Sequence, residues 1–246
     1  MEFLKGLTPK ETLELDELQD ASRIGTTVKV NGAVHTIRDM GELSFVVLRK
    51  RSGLLQCIFE DGFTAFDVKN VREEEALEVT GILERDERAP HGIEIRVKEV
   101  KVLSTPYDVP PLPVGKWKLG TSLEAKLNYR SVSLRNMRER AKFRIQEGIV
   151  RGFRDFRYSQ QFTEIHTPKI GSKGAEGGSN VFKLEYFHRP AVLAQSPQFY
   201  KQMMVGVFDR VFETAPVFRA EKHNTKRHLN EYTSLDFEMG YIDGFE

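Results

Sequence analysis

Residues 26–103 run as short stretches rich in Val, Ile and Leu: VKVNGAVHTIRD, LSFVVLRK, LLQCIFE, ALEVTGILERD and IEIRVKEVKVL. Turns with glycine or charge, such as Asp39-Met40-Gly41 and Asp61-Gly62, separate them. Such runs between turn residues read as strands, and five in roughly 80 residues predict a small five-stranded barrel of the OB type. Ahead of them, residues 8–21 predict a short charged helix with Thr8 as N-cap and Pro9 at its first position. Prolines 106, 110, 111 and 113 fit neither a strand interior nor mid-helix, so 105–121 reads as a linker. Over 122–157, Phe143, Ile145, Ile149, Val150 and Phe153 recur at helical spacing without proline. FTEIHTPKI (162–170) reads as a strand stopped by Pro168. A Gly-rich loop (171–180), the run VFKLEYF and a turn at His188-Arg189-Pro190 follow. A helix over 197–207 and two strand-like segments, RVFETAPVFRA and YTSLDFEMGYI, complete the pattern. The expected fold is a β barrel (OB-fold) N-terminal domain with its helix (1–104), a linker (105–121), and an α+β domain with an antiparallel sheet (122–246).

Lys+Arg total 37 and Asp+Glu 36, so overall charge selects no partner. The local distribution says more. Residues 116–157 hold twelve Lys/Arg against four acids, a net +8 that suits either a polyanion or a solvated helix face. The single cysteine, Cys57, excludes an internal disulfide framework, and no Cys/His spacing suggests zinc or another metal. The first residues, MEFLKGLTPKETLEL, are too charged for a secretory signal, and no apolar run of about 18 residues occurs. A cytoplasmic protein without a membrane partner is the expectation.

The candidate chemistry concentrates in FRAEKHNTKRHLNEYTSLDFEM, 218–239. Arg219 and Glu221, two apart on a strand, share a side. The loop adds Lys222, His223, Lys226, Arg227 and His228, and Tyr232 offers a flat ring at the start of the returning strand. A hairpin with cations at its base and tip is a cradle for a triphosphate, and arginine forks suit phosphate oxygens.

As a whole this string resembles the second signature motif of class II aminoacyl-tRNA synthetases, within the aspartyl/asparaginyl/lysyl subgroup. FTEIHTPKI resembles the first motif, with Pro168 as its hallmark proline, and implies a homodimer interface. LAQSPQFYKQM (193–203) resembles the aspartate-binding segment of aspartyl-tRNA synthetases, where asparaginyl enzymes differ. The resemblance implies that Arg219 holds the ATP α-phosphate and that Glu221 positions the nucleotide or the acceptor adenosine; these are its catalytic pair. It places Arg227 and His228 on the β/γ-phosphates and Tyr232, often Phe in the family, on adenine. Gln198 and Lys201 then read the aspartate side chain, Asp236 holds its α-ammonium, and Glu176 belongs to a loop that closes over it, with glycines 174, 177 and 178 giving that loop freedom. Ala175 stands where relatives tend to carry a hydroxyl, and Gln161 where the first motif usually has Gly.

NGAVHTIRDMGELSFVVLRKRSGLLQ resembles the anticodon-binding barrel of the same family. Phe45 and Gln56 fall where those enzymes stack on and hydrogen-bond the central anticodon uridine. Arg38 corresponds to a contact to the anticodon backbone or a base, and Glu94 to the reader of another base. His35 stands near the third anticodon base, with Ala33 in place of a common Trp, and hints at relaxed choice between tRNA-Asp and tRNA-Asn. The implied activity is ATP-driven aspartylation of tRNA. The family's third motif, Gly-rich with an ATP-binding Arg, does not occur in these 246 residues, so the sequence is expected to be truncated, with the acidic Mg²⁺ ligands mainly in the missing C-terminal part. Three other readings stay open: an asparagine–tRNA ligase, a non-catalytic tRNA-binding module, and an interaction or regulatory paralogue that uses only the dimer face.

Overall fold

The computed structural model describes residues 10–175, 180–223, 225 and 228–244. The chain divides into two units, Met1–Arg140 and Ala141–Glu246.

In the first unit, strands β1 (Thr27–Asp39), β2 (Leu43–Arg49), β3 (Leu54–Glu60), β4 (Ala76–Arg85) and β5 (Ile93–Ser104) pair in the closed order β1-β2-β3-β5-β4. The length of β1 makes closure possible: Thr27–Ala33 pairs with β4 and Ala33–Asp39 with β2. The β3–β5 seam is parallel and short, Gln56–Ile58 against Glu94–Arg96. Alternation decides the interior. On β4, Leu77, Val79 and Leu83 point inward, where they meet Val28, Val30, Val46, Leu48, Leu55, Cys57 and Ile95. Each such side chain contributes about 1.5–3 kcal/mol by leaving water. Burial pushes the Cys57 thiol up to about 12, so it serves as core filling. A register shift between Val34 and Thr36 bulges β1 at His35 and changes the phase of alternation, which is why both Val34 and Ile37 pack on the core. Gly81, at the β4 register shift, lies against β5; a Cβ there would run into the Arg96 carbonyl oxygen and come within 2.6 Å of Ile95 Cγ2.

The expected helix over 8–21 is reduced to one turn, α1 (Leu15–Leu18). A capping box between Glu14 and Glu17 starts it, and Leu15 and Leu18 plug the barrel core. Asp20 then accepts from Ser22 N and opens a separate short turn. Thr8 and Pro9 lie outside the described residues. Residues 105–121 form no regular element, yet Leu112, Val114 and Leu119 are buried, so the segment is packed down. The long helix expected over 122–157 is broken into α2 (Leu123–Asn128), α3 (Arg130–Ser133) and α4 (Met137–Ser159). Tyr129 leaves helical geometry at φ −103°, ψ 41°. The Asn136 side chain accepts from Arg138 N and Glu139 N and donates to the carbonyl of Val114, so it caps α4 while tying it to the linker.

The second unit contains a sheet in the order β11-β10-β6, formed by β6 (Thr163–Glu164), β10 (Arg210–Phe218) and β11 (Glu231–Met239). β10 and β11 are an antiparallel pair in continuous register from Arg210↔Met239 to Phe218↔Glu231. A smaller sheet combines β7 (Ile170–Gly171), β8 (Lys183–Tyr186) and β9 (Arg189–Leu193), and α5 (Gln198–Phe208) follows it. The segment 162–170 is therefore two short strands in different sheets. The predicted turn at 188–190 shifts to Phe187-His188, both at positive φ, and leaves Arg189 and Pro190 in β9. Gln161 has φ 62°, which explains a glycine as the usual occupant: only glycine takes that region without steric cost.

Helix α4 covers one face of the sheet. Phe153 and Tyr158 meet Phe212 edge-on at 5.7 and 5.2 Å, and the Arg157 guanidinium lies 3.6 Å from the centre of Phe237. Phe143, Ile145 and Ile149 stay exposed, so the helical stripe read from sequence is only partly covered, at Val150 and Phe153 toward its C-terminal end. On the other face Glu213, 2% exposed, accepts from Thr167 N (2.7 Å), Thr167 Oγ1 (2.8 Å) and Lys169 Nζ (2.9 Å). It thereby fixes the chain on either side of Pro168.

Gly81→Ala is expected to destabilise the barrel by about 2 kcal/mol, because the opposing atom is backbone and cannot rotate away. Urea unfolding of the two proteins measures this; an unchanged midpoint would show that β4 and β5 part there at no cost.

Candidate functional sites in the two units

On the barrel's outer face, the sequence-predicted residues Arg38, Phe45, Gln56 and Glu94 form one connected chain. Arg38 pairs in register with Phe45, and its guanidinium lies 5.6 Å from the ring centre. Arg38 Nη2 donates to Gln56 Oε1 at 3.2 Å, and Gln56 Nε2 donates to Glu94 Oε2 at 2.8 Å. Gln56 and Glu94 are registered partners across the parallel seam. Phe45 is half-buried and outside the core, so its ring is available as a platform. Gln56 and Glu94 are 7% and 5% exposed, and burial raises the Glu94 carboxyl above its usual value. The group thus presents a stacking ring and an amide held in one orientation, which is how single-stranded RNA bases are engaged.

His35 is placed differently. It is 5% exposed, and its Nδ1 lies 3.3 Å from Arg49 Nη1. Arg49 grips Glu74 with both nitrogens at 2.6 and 2.9 Å, and Arg135 reaches the same carboxylate at 2.8 Å. Burial, and next the Arg49 charge, lower the His35 pKa. Burial works against the Glu74 carboxylate, but Arg49 and Arg135 together hold it below its usual range.

In the second unit the face opposite α4 gathers most of the other predicted residues. Tyr232, Ser234, Asp236 and Glu238 project to one side of β11 by alternation, with Arg219 just beyond β10 on the same side. The Arg219 guanidinium lies 5.9 Å from the Tyr232 ring centre. Lys201, on α5, is 6% exposed and reaches Asp236 Oδ1 at 2.9 Å and Glu238 Oε2 at 3.5 Å. Ser234 Oγ donates to the other Asp236 oxygen. Gln198 opens α5, its N–H donating to Ser196 Oγ at 3.2 Å. Beyond the strands, His228 Nε2 lies 3.9 Å from Glu221 Oε2, and Thr225 Oγ1 is 2.6 Å from His228 Nδ1. With its amide nitrogen turned toward them, Asn230 donates to the carbonyls of Arg219 and Glu221 and braces the hairpin neck. Glu176 and Arg227 lie outside the described residues, as do glycines 177 and 178.

Sequence reasoning left out Ser234 and Glu238, although alternation from Asp236 identifies them. It also left out Gln195, which is completely buried. A Cβ on Gly174 would approach Gln195 Oε1 and Val181 Cγ1 to 3.0 Å, so close packing accounts for this glycine as well as freedom does. Among the described residues no group of three or more His, Cys, Asp or Glu side chains converges as a metal site. No helix among them is long and apolar enough to cross a membrane.

Comparison with known proteins gives two family matches. Residues 28–103 match the OB-fold nucleic acid binding domain, and residues 122–246 match the class II tRNA synthetases (D, K and N). The chain is 47% identical over 222 residues to an aspartate–tRNA(Asp/Asn) ligase of Deinococcus radiodurans, covering 90% of this chain and 50% of that protein. It is 46% identical over 221 residues to its namesake in Thermus thermophilus, covering 90% and 51%. Among solved structures, asparaginyl-tRNA synthetase from Pyrococcus horikoshii complexed with asparaginyl-adenylate superposes with a TM-score of 0.85 at 28% identity, over 95% of this chain and 54% of that one. Aspartyl-tRNA synthetase from Entamoeba histolytica gives 0.73 at 29% identity, over 95% and 51%. The chain spans about half the length of the relatives it matches.

The raised Glu94 carboxyl has a stability consequence. A group whose folded pKa exceeds its unfolded value loses its stabilising contribution as pH rises through the folded value. Glu94→Gln is therefore expected to gain stability over the parent as pH is raised from about 4 to 7, with little difference at the acid end. Thermal unfolding of both proteins across that range tests it; a constant offset would mean that burial of Glu94 costs nothing.

Proposed function

Because the chain belongs to the class II tRNA synthetases of the D, K and N group, we propose that it is the anticodon-binding and partial catalytic portion of an aspartate–tRNA ligase. The observation that carries the choice of aspartate is Lys201, a buried ammonium facing the carboxylates of Asp236 and Glu238. A carboxylate side chain on the substrate can replace Glu238, the more distant partner at 3.5 Å, as counter-charge to Lys201, whereas an amide brings no charge to that exchange. Lys201 then takes the substrate side-chain carboxylate with Gln198 beside it, and Asp236, steadied by Ser234, takes the α-ammonium. Glu176 belongs to the loop that closes over the bound amino acid.

ATP is the co-substrate in this reading. Arg219 meets the α-phosphate, Arg227 and His228 the β- and γ-phosphates, Tyr232 stacks on adenine, and Glu221 positions the nucleotide or the acceptor adenosine. The Arg219–Tyr232 stack supports this, since it sets a phosphate-binding fork beside an aromatic face. When bound, Mg²⁺ neutralises phosphate charge; none of the described residues is assigned to it. The substrate α-carboxylate attacks the α-phosphorus as the bond to pyrophosphate breaks, giving aspartyl-adenylate. A ribose hydroxyl of the tRNA acceptor end then attacks the carbonyl and AMP leaves. The protein contributes placement and charge, with no covalent intermediate on its side chains.

In the barrel, Phe45 stacks on the central anticodon base, Gln56 hydrogen-bonds it, and Arg38 and Glu94 engage its neighbours. His35, held by Arg49, acts near the third base and relaxes the choice between tRNA-Asp and tRNA-Asn; relatives named aspartate–tRNA(Asp/Asn) ligase support this. The functional division follows 1–104, 105–121 and 122–246. Pairing as a homodimer through the segment around Pro168, held by Glu213, and a cytoplasmic setting complete the proposal. The intact Arg38–Phe45–Gln56–Glu94 chain also favours a second reading, tRNA binding without catalysis.

Aspartate-dependent ATP–pyrophosphate exchange by the 246-residue chain is the expected outcome, with asparagine inactive and Lys201→Ala reducing exchange by at least about 100-fold. Exchange with asparagine would overturn the specificity. No exchange from folded protein that binds tRNA-Asp would leave the second reading.

A further inference from the structure

The barrel's outer face carries a second arginine–aromatic pair that none of the roles above uses. Registered pairs run Arg38↔Phe45, Phe45↔Ile58 and Ile58↔Arg96, so one row of side chains crosses β1, β2, β3 and β5 on a single face. At its far end the Arg96 guanidinium lies over the ring of Phe63, 4.0 Å from the centre. Phe63 belongs to the turn after β3, and that turn is fastened at several points. Thr64 Oγ1 donates to Val97 O at 2.9 Å and accepts from Glu60 N at 3.0 Å, while Ala65 N donates to Lys98 O at 2.9 Å. The ring is therefore held in place over β5.

The surroundings decide what this pair can take. Arg96 Nε and Nη2 both lie 2.6 Å from Glu60 Oε2, so the cation is already compensated and is a poor site for a phosphate. Its planar face is a different matter. One side rests on Phe63, and the Arg96 side chain is still 35% exposed. A compensated guanidinium backed by an aromatic ring offers a heteroaromatic ring a stacking surface of either component. Phe45 sits two strands away in the same row, about 10 Å at ordinary strand spacing, a span that a splayed single strand bridges between nearby nucleotides.

We propose that Arg96 and Phe63 form a second base-stacking platform, for another unstacked base of the same RNA strand that Phe45 engages. This rests on the anticodon-binding reading above. The ligand is a nucleobase of single-stranded RNA, recognised through its π face without selection among bases.

The test is titration of this chain with a tRNA-Asp anticodon stem–loop carrying 2-aminopurine at each loop position in turn. Wild type is expected to quench at two loop positions. Phe63→Ala and Arg96→Lys, the latter keeping the charge for Glu60 but losing the plane, are each expected to abolish quenching at one position and weaken binding about 10-fold, as for loss of one stacked base. Phe45→Ala is expected to remove the other position, and Phe63→Tyr to behave as wild type. If Phe45→Ala weakens binding while Phe63→Ala and Arg96→Lys, with unchanged thermal unfolding, do not, the second platform is wrong and the anticodon reading stands. If wild type does not bind the stem–loop, both are wrong.

Discussion

In an extended strand, consecutive side chains leave on opposite faces, and that constraint organises both units. Along β11 it sends Tyr232, Ser234, Asp236 and Glu238 to one side and Phe237 to the other. The polar set meets Lys201 from α5, and Phe237 meets Arg157 from α4. A one-residue slip of β11 against β10 would exchange the two sets and bury the carboxylates against the aromatic side of α4. The unbroken register of β10 with β11 is thus as much a part of the candidate site as the residues within it.

Three ionic groups show how polar side chains are kept at low exposure. Glu213 is saturated by a backbone N–H, a hydroxyl and an ammonium. Glu74 is shared by Arg49 and Arg135. Lys201 divides its charge between Asp236 and Glu238. Burying ions gains little net stability even when they are paired, but removing one partner leaves an uncompensated charge that costs several kcal/mol. These groups therefore specify geometry: Glu213 fixes the Pro168 segment, Glu74 steadies the arginine that faces His35, and Lys201 fixes the spacing of α5 from β11. The barrel face works differently, with flat groups, an amide and largely compensated charge, which suits bases better than phosphates.

The barrel was legible in the sequence because each of its strands buries one face, so inside and outside alternate in the text. The β10–β11 hairpin was legible for the same reason, and its polar residues fell at strand spacing. The N-terminal helix and the long helix over 122–157 were misjudged because local propensity does not report tertiary anchors. Leu15 and Leu18 have only one turn to place in the core, and Asn136 caps a new helix while binding the linker carbonyls.

Alone, the sequence determined the alternation, the proline-marked break and the residue types that meet at the candidate sites, since these depend on neighbours along the chain. The tertiary structure decided the rest. It buried His35 at a bulge beside Arg49, joined Arg38 to Glu94 through Gln56, set Lys201 between two carboxylates and laid Arg96 on Phe63. Each of these pairs residues far apart in the chain, and only strand register and helix packing set their separation.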